Sequence, residues 1–176
     1  TRLIGAIIMA HGDNRGLKVP PKLAPIQAVI VPIQMQKSGV MEKVNEIYEN
    51  LKNDIRIKVD DRDQYSPGFK FNDWEMRGVP VRIEIGPRDI ENGSIVTIRR
   101  DTGNKEFIDY DENTIVDTVN DILDDISKEL KAASNKFQEE KTFHVEKPEQ
   151  IKKTINKKGG IITCNWCGST ECGKDM

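Results

Sequence analysis

The 176-residue sequence is poor in several things at once, and each shortage narrows what it can do. Aromatic residues make up 6% of it and histidines number two, so acid–base catalysis resting on histidine has little to draw on. No apolar run approaches the length of a membrane-spanning helix. The longest, from Ile26 to Ile33, carries Gln27 and Pro32 and predicts a buried strand. An excess of one charge is also missing: 27 Lys and Arg stand against 29 Asp and Glu, a net charge of -2, with a pI near 5.8. A nucleic-acid partner therefore meets no global basic field and has to be held by a local arrangement of charges. Cysteine is absent until the last thirteen residues, where Cys164, Cys167 and Cys172 cluster. Staples scattered along the chain are thereby excluded, and a metal cluster or redox pair is left. No signal peptide is recognisable, so a reducing, cytoplasmic setting is expected. The start at Thr1, directly before an apolar segment, and the stop just past the cysteines are expected of a piece cut from a larger protein.

What is present suits a folded chain: 36% hydrophobic residues in aliphatic clusters, 32% charged residues, and a mean hydropathy of -0.58. Leu3, Ile7 and Met9 among small residues predict a short helix, broken by the two glycines of HGDNRGL. Pro20, Pro21 and Pro25 bias their predecessors away from helix, which predicts an extended, semi-rigid linker. From Ile26 strands and helices alternate. IQAVIVPI is apolar at nearly every position, as a strand covered on both faces requires. Gly39 opens a helix with Val40, Val44, Ile47, Tyr48 and Leu51 on one face. Ile55, Ile57 and Val59 alternate with Arg56 and Lys58, and Val81, Ile83 and Ile85 alternate with Arg82 and Glu84, both as half-buried strands. FNDWEMRG between them is helical, GPRDIENG is a turn, SIVTI is a strand, and DTGN is a hairpin-type turn before EFI. A long helix follows with Ile115, Val119, Ile122, Ile126, Leu130, Ala133 and Phe137 on one stripe, capped by Asp111 or Asn113. The expectation is α/β: a mixed, mostly parallel sheet of about five strands flanked by helices. Composition shifts again at FHVEKPEQ, where Pro148 suits the first turn of a short helix through Ile151 and Ile155, and GIITC leads as a strand into the cysteines.

Three segments carry a specific resemblance, in order along nearly the whole chain: TRLIGAIIMAHGDNRGLKVPPKLAPIQAVIVPI, YSPGFKFNDWEMRGVPVRIEIGPRDIENG and CGSTEC. The first resembles the junction, in prolyl-tRNA synthetases of the archaeal and eukaryote-like type, where the last class II signature passes into the anticodon-binding domain. The second resembles the heart of that domain. The third resembles the first half of the family's C-terminal zinc-binding domain. The resemblance implies residues 1–24 as the end of the catalytic core and linker, 25–141 as the anticodon-binding domain, and 142–176 as the truncated start of a small α/β zinc-binding-type domain. It implies a parent ligase that activates proline with ATP and Mg2+ and charges tRNA(Pro), dimerises through its catalytic domain, and engages neither membrane nor DNA. The fragment alone is expected to be inactive. A stand-alone RNA-binding module is the alternative, though it has no use for a class II signature helix.

Residue by residue, the resemblance implies that Arg2 binds ATP phosphates, where guanidinium charge offsets the anion. Glu75, Arg82, Arg88, Asp89 and Lys105 are implied as readers of two anticodon guanines. The chemistry fits, because a carboxylate accepts from the N1–H and N2–H₂ edge while Arg or Lys donates to O6 and N7 of a splayed-out base. On pattern alone these five also suit a solvated, salt-bridged rim. Phe71 and Trp74 are available for stacking, with Trp74 better placed as partial core. The loop around His11, Asp13 and Arg15 lacks the lysine and spacing of a P-loop and is expected to be a structural turn. Cys167 and Cys172 match the family's first zinc pair, and Cys164 adds a CxxC outside it. Three thiolates leave a tetrahedral site one ligand short.

Overall fold

The computed structural model describes residues 2–147 and 149–170, in two compact units, Thr1–Leu130 and Lys131–Met176. The first unit opens with α1 (Arg2–His11), a helix with no buried residue. A five-stranded sheet follows, built from β1 (Ala28–Pro32), β2 (Ile57–Val59), β3 (Val81–Ile85), β4 (Ser94–Arg99) and β5 (Lys105–Asp109) in the order β2-β1-β3-β4-β5. β1 runs parallel to both β2 and β3, whereas β3–β4 and β4–β5 are antiparallel. Half of the pairings are thus parallel, because helical crossovers link the first three strands and short turns link the rest. The expected mixed α/β sheet of five strands flanked by helices is what forms.

Period-two alternation decides which residues face which layer. Ala28 and Ile30 of β1 and Val81, Ile83 and Ile85 of β3 share a core with α2 (Val40–Leu51) and α5 (Ile115–Glu140). That core takes Val40, Val44, Ile47 and Leu51 from α2 and Ile115, Val119, Leu123 and Ile126 from α5. Val29 and Val31 face the other way, against Trp74 and Val79, beneath α3 (Pro67–Arg77). Arg82 and Glu84, out of phase with the β3 core residues, therefore belong to the α3 side of the sheet. β1, buried at every position and flanked by β2 and β3, is the strand covered on both faces that IQAVIVPI predicts.

Helix ends follow ordinary capping chemistry. Ser66 Oγ accepts from Phe69 N, Pro67 sits at the first helical position, and Gly78 closes α3 in the left-handed region at φ 76°. Asp111 Oδ1 accepts from Asn113 N just before α5. Two expectations are corrected. GPRDIENG is not a plain turn: Pro87–Glu91 forms a short helix, α4, whose Asp89 carboxylate accepts from Gly86 N at 2.8 Å. The proline-rich linker is not extended throughout. The Arg56 guanidinium donates to the carbonyls of Ala24 (2.9 Å) and Pro21 (3.0 Å), pinning a turn that the strand pattern of Arg56 could not reveal.

In the second unit, β6 (Thr142–Val145) and β7 (Ile161–Cys164) pair in parallel around α6 (Glu149–Lys158), a single β-α-β crossover. The buried stripe of α5 ends at Leu130; Phe137, expected on it, is 64% exposed. Among the described residues no helix is long and apolar enough to cross a membrane.

Candidate nucleic-acid interface

The chain leaves β1 toward α2 and β2 on one side, and leaves β3 toward α4 and β4 on the other. Such a reversal opens a crevice beyond the carboxyl ends of two adjacent parallel strands, the usual ligand position in open α/β sheets. Here it is a groove of about 860 Å³, with Ile33 and Gln34 after β1, Gly86, Arg88 and Asp89 after β3, and Phe71, Lys105 and Phe107 around it.

Glu84 sits in this groove's wall and is 8% exposed. Its Oε1 accepts from Arg82 Nε at 3.0 Å and its Oε2 from Lys105 Nζ at 3.3 Å. A buried carboxylate needs such partners. It also fixes two long cationic side chains that would otherwise sweep many rotamers. The Arg82 guanidinium lies 4.2 Å from the Phe71 ring centre, and Lys105 Nζ lies 5.7 Å from that of Phe107, which is itself 71% exposed. Arg88 is exposed, and Asp89 has one oxygen committed to the Gly86 amide.

A smaller pocket of about 120 Å³ is lined by Arg82 together with Arg15, Trp74, Glu75, Arg99 and Arg100 among others. Glu75 accepts from Arg15 Nη1 at 3.2 Å. Arg15 is held there by backbone pairing: Leu17 N donates to Met76 O and Val19 N to Gly78 O. The approach is so close that a Cβ on Gly78 would meet Leu17 O at 2.6 Å and one on Gly16 would meet Met76 O at 2.5 Å. Arg100 clamps the same loop, donating to both oxygens of Asp13 (2.7 and 3.0 Å) and to the Glu75 carbonyl (2.8 Å). The Arg100 hydrogen bonds hold the Asp13 carboxyl well below the ordinary carboxylate range, against the upward push of burial.

The five residues assigned from the resemblance thus divide. Arg88, Asp89 and Lys105 line the larger groove, Glu75 lines the smaller pocket with Arg82, and Arg82 joins the two through Glu84. Glu84 was missed by sequence reasoning: in VRIEI it reads as one more polar position of an alternating strand, and only the packing of β5 reveals its second cation. Trp74 is 3% exposed and its Nε1 donates to Asp60, so it is core and offers no stacking face.

Arg2 is exposed at the start of α1. Cys164 ends β7 and is half-buried, Cys167 is exposed, and Cys172 lies outside the described residues. Among the described residues no three His, Cys, Asp or Glu side chains converge as metal ligands, so those residues do not by themselves form a zinc site.

Residues 27–122 match the family described as anticodon binding domain, and the chain belongs to that family. The curated relatives are more particular. Over 178 residues the chain is 61% identical to the proline–tRNA ligase of Methanosphaera stadtmanae, covering 99% of this chain and 38% of that protein. It is 48% identical to the proline–tRNA ligase of Alkaliphilus oremlandii, covering 98% of this chain and 35% of that protein. A crystal structure of prolyl-tRNA synthetase from Cryptosporidium parvum, complexed with halofuginone and AMPPNP, superposes with a TM-score of 0.92 at 34% identity, over 99% of this chain and 36% of that one. The resemblance drawn from the three motifs is borne out, and the chain spans well under half the length of the curated relatives it matches.

Proposed function

We propose that this chain reads the anticodon of tRNA(Pro) for a longer, cytoplasmic proline–tRNA ligase that activates proline with ATP and Mg2+ and transfers it to the tRNA. In this reading residues 1–24 close the class II catalytic core, 25–141 bind the anticodon, and 142–176 begin a zinc-binding-type domain. Arg2 then contributes to the ATP site of the longer enzyme, which dimerises through its catalytic domain. Zinc requires Cys172 and a further ligand beside Cys164 and Cys167.

The observation that carries the reading is the buried Glu84 carboxylate held between Arg82 and Lys105 in a groove flanked by Phe71 and Phe107. Guanine presents two donors on its Watson–Crick edge and two acceptors on its Hoogsteen edge, so a site that reads it needs carboxylate and guanidinium or ammonium in one place. Single-stranded bases add stacking on exposed aromatic rings. Glu75, Arg82, Arg88, Asp89 and Lys105 supply the charges, and the exposed Phe107 a ring. Binding to the proline tRNA anticodon stem-loop tests this directly. Replacing either anticodon guanine by adenine is expected to weaken binding by roughly 1–3 kcal/mol, the cost of one bidentate base contact. Equal affinity for the native and substituted loops would overturn the reading.

A further inference from the structure

A second groove, of about 610 Å³, continues from the first and shares Gln34 and Pro67 with it. None of the five residues assigned to guanine lines it. Lys70 does, although the residue is only 2% exposed. Its Nζ donates to the Asp60 carbonyl at 3.0 Å. The Asp60 carboxylate is turned to other donors: Arg62 Nε at 2.8 Å, Arg62 Nη2 at 2.7 Å and Trp74 Nε1 at 2.7 Å. An ammonium has three protons to give, and burying it is costly unless an anion or several acceptors meet it. The Asp60 carbonyl takes one of these protons, and Lys70 is the cationic residue among those lining the groove. Around the opening stand amides and two hydroxyls, Gln34, Gln36, Gln64, Tyr65 and Ser66, with Asp63 the one carboxylate among the lining residues. This composition suits a ribose-phosphate better than a base edge, since grooves that follow single strands hold the backbone by positive charge and neutral donors.

We propose that the Lys70 groove is a subsite for a nucleotide directly flanking the guanine pair, with its backbone phosphate on the Lys70 ammonium. The inference rests on the anticodon reading, which places RNA in the neighbouring groove. A phosphate there gives Lys70 a charged partner, and the strand runs on from the guanine groove past Gln34 and Pro67.

Stem-loops carrying one neutral methylphosphonate linkage at a time through the anticodon loop supply the test, with binding measured for the wild-type protein and for Lys70→Met, which keeps the aliphatic stem. In the wild type, neutralising one linkage beside the guanine pair is expected to weaken binding about 10-fold, as loss of a charge-assisted hydrogen bond does. In Lys70→Met the same modification is expected to change nothing further, and the salt dependence of binding to fall by about one phosphate contact. A wild-type scan in which no flanking linkage matters overturns the proposal even if the variant does not fold. So does an equal loss in both proteins. Inorganic phosphate that competes with the native loop in the wild type but not in Lys70→Met also supports the subsite; competition undiminished in the variant counts against it. Replacement of the guanines separates the two readings, because a protein indifferent to guanine but sensitive at the flanking linkage overturns base recognition and leaves the phosphate contact standing.

Discussion

Two charged clusters sit within the same unit and carry similar residue types, yet one is closed and the other open. In the closed one, Asp60 is 2% exposed and satisfied by Arg62 and Trp74, while Arg62 also reaches Asp73 at 2.9 Å and Asp73 accepts from Arg77 at 2.9 Å. Burial pushes the Asp60 carboxyl up, but these hydrogen bonds outweigh it and leave the pKa at about 2. In the open one, Glu84 is nearly as buried, but its partner Lys105 lines the larger groove and its partner Arg82 lines the smaller pocket. Interleaved charges in a sequence do not distinguish a structural knot from a recognition surface. What distinguishes them is whether the donors are used up by the fold.

The sharpest way to break this contrast is to remove one charged side chain from each cluster. Asp60→Ala leaves Arg62 without its buried partner and the Trp74 N–H unsatisfied, and is expected to destabilise the fold by about 3 kcal/mol, read as a shift of the urea midpoint. A loss under half of that would mean that water replaces the carboxylate and that the cluster is not closed. For the open cluster, Lys105→Ala, which leaves Arg82 on the Glu84 carboxylate, is expected to weaken anticodon-loop binding by about 1–3 kcal/mol while the thermal midpoint moves little. Parallel losses of binding and stability would make Lys105 structural and erase the distinction. The smallest effect is in pH. Because the folded pKa of Asp60 is lowered, its contribution to stability is complete above the ordinary carboxylate range near 4 and is lost as pH falls toward 2. Asp60→Asn is expected to flatten the stability profile over that acid window, measured as urea midpoint against pH. An unchanged acid slope would assign the sensitivity to other groups, Asp13 first among them.

Much of the architecture was legible from periodicity alone. Val40, Val44, Ile47 and Leu51 repeat at helical spacing, Val81, Ile83 and Ile85 at strand spacing, and each set is fully buried on the face so defined. Elements whose shape depends on a distant partner were not legible. The turn at Pro21 needs the Arg56 guanidinium, which arrives from the residue just before the edge strand β2. The short α4 is closed by a local Asp89–Gly86 contact that also suits a simple turn. The candidate site was open to the resemblance as residue types, but not as an arrangement. The division of Glu75 from Arg88, Asp89 and Lys105 arises where β3, β4 and β5 lie side by side, and Glu84 acquires its meaning only there. Lys70 carried no signal, since a lysine in a charged helical stretch ordinarily points to solvent.

The backbone ladder between residues 16–19 and the end of α3 has a mechanical consequence. Leu17 and Val19 are tied to Met76 and Gly78, and Arg100 grips Asp13, at the loop leading directly from α1. A pull on α1 is therefore delivered to the last turn of α3, beside Glu75, before the proline-rich stretch can give. The prolines act downstream of that splice, and α1 shares a lever with the charged rim.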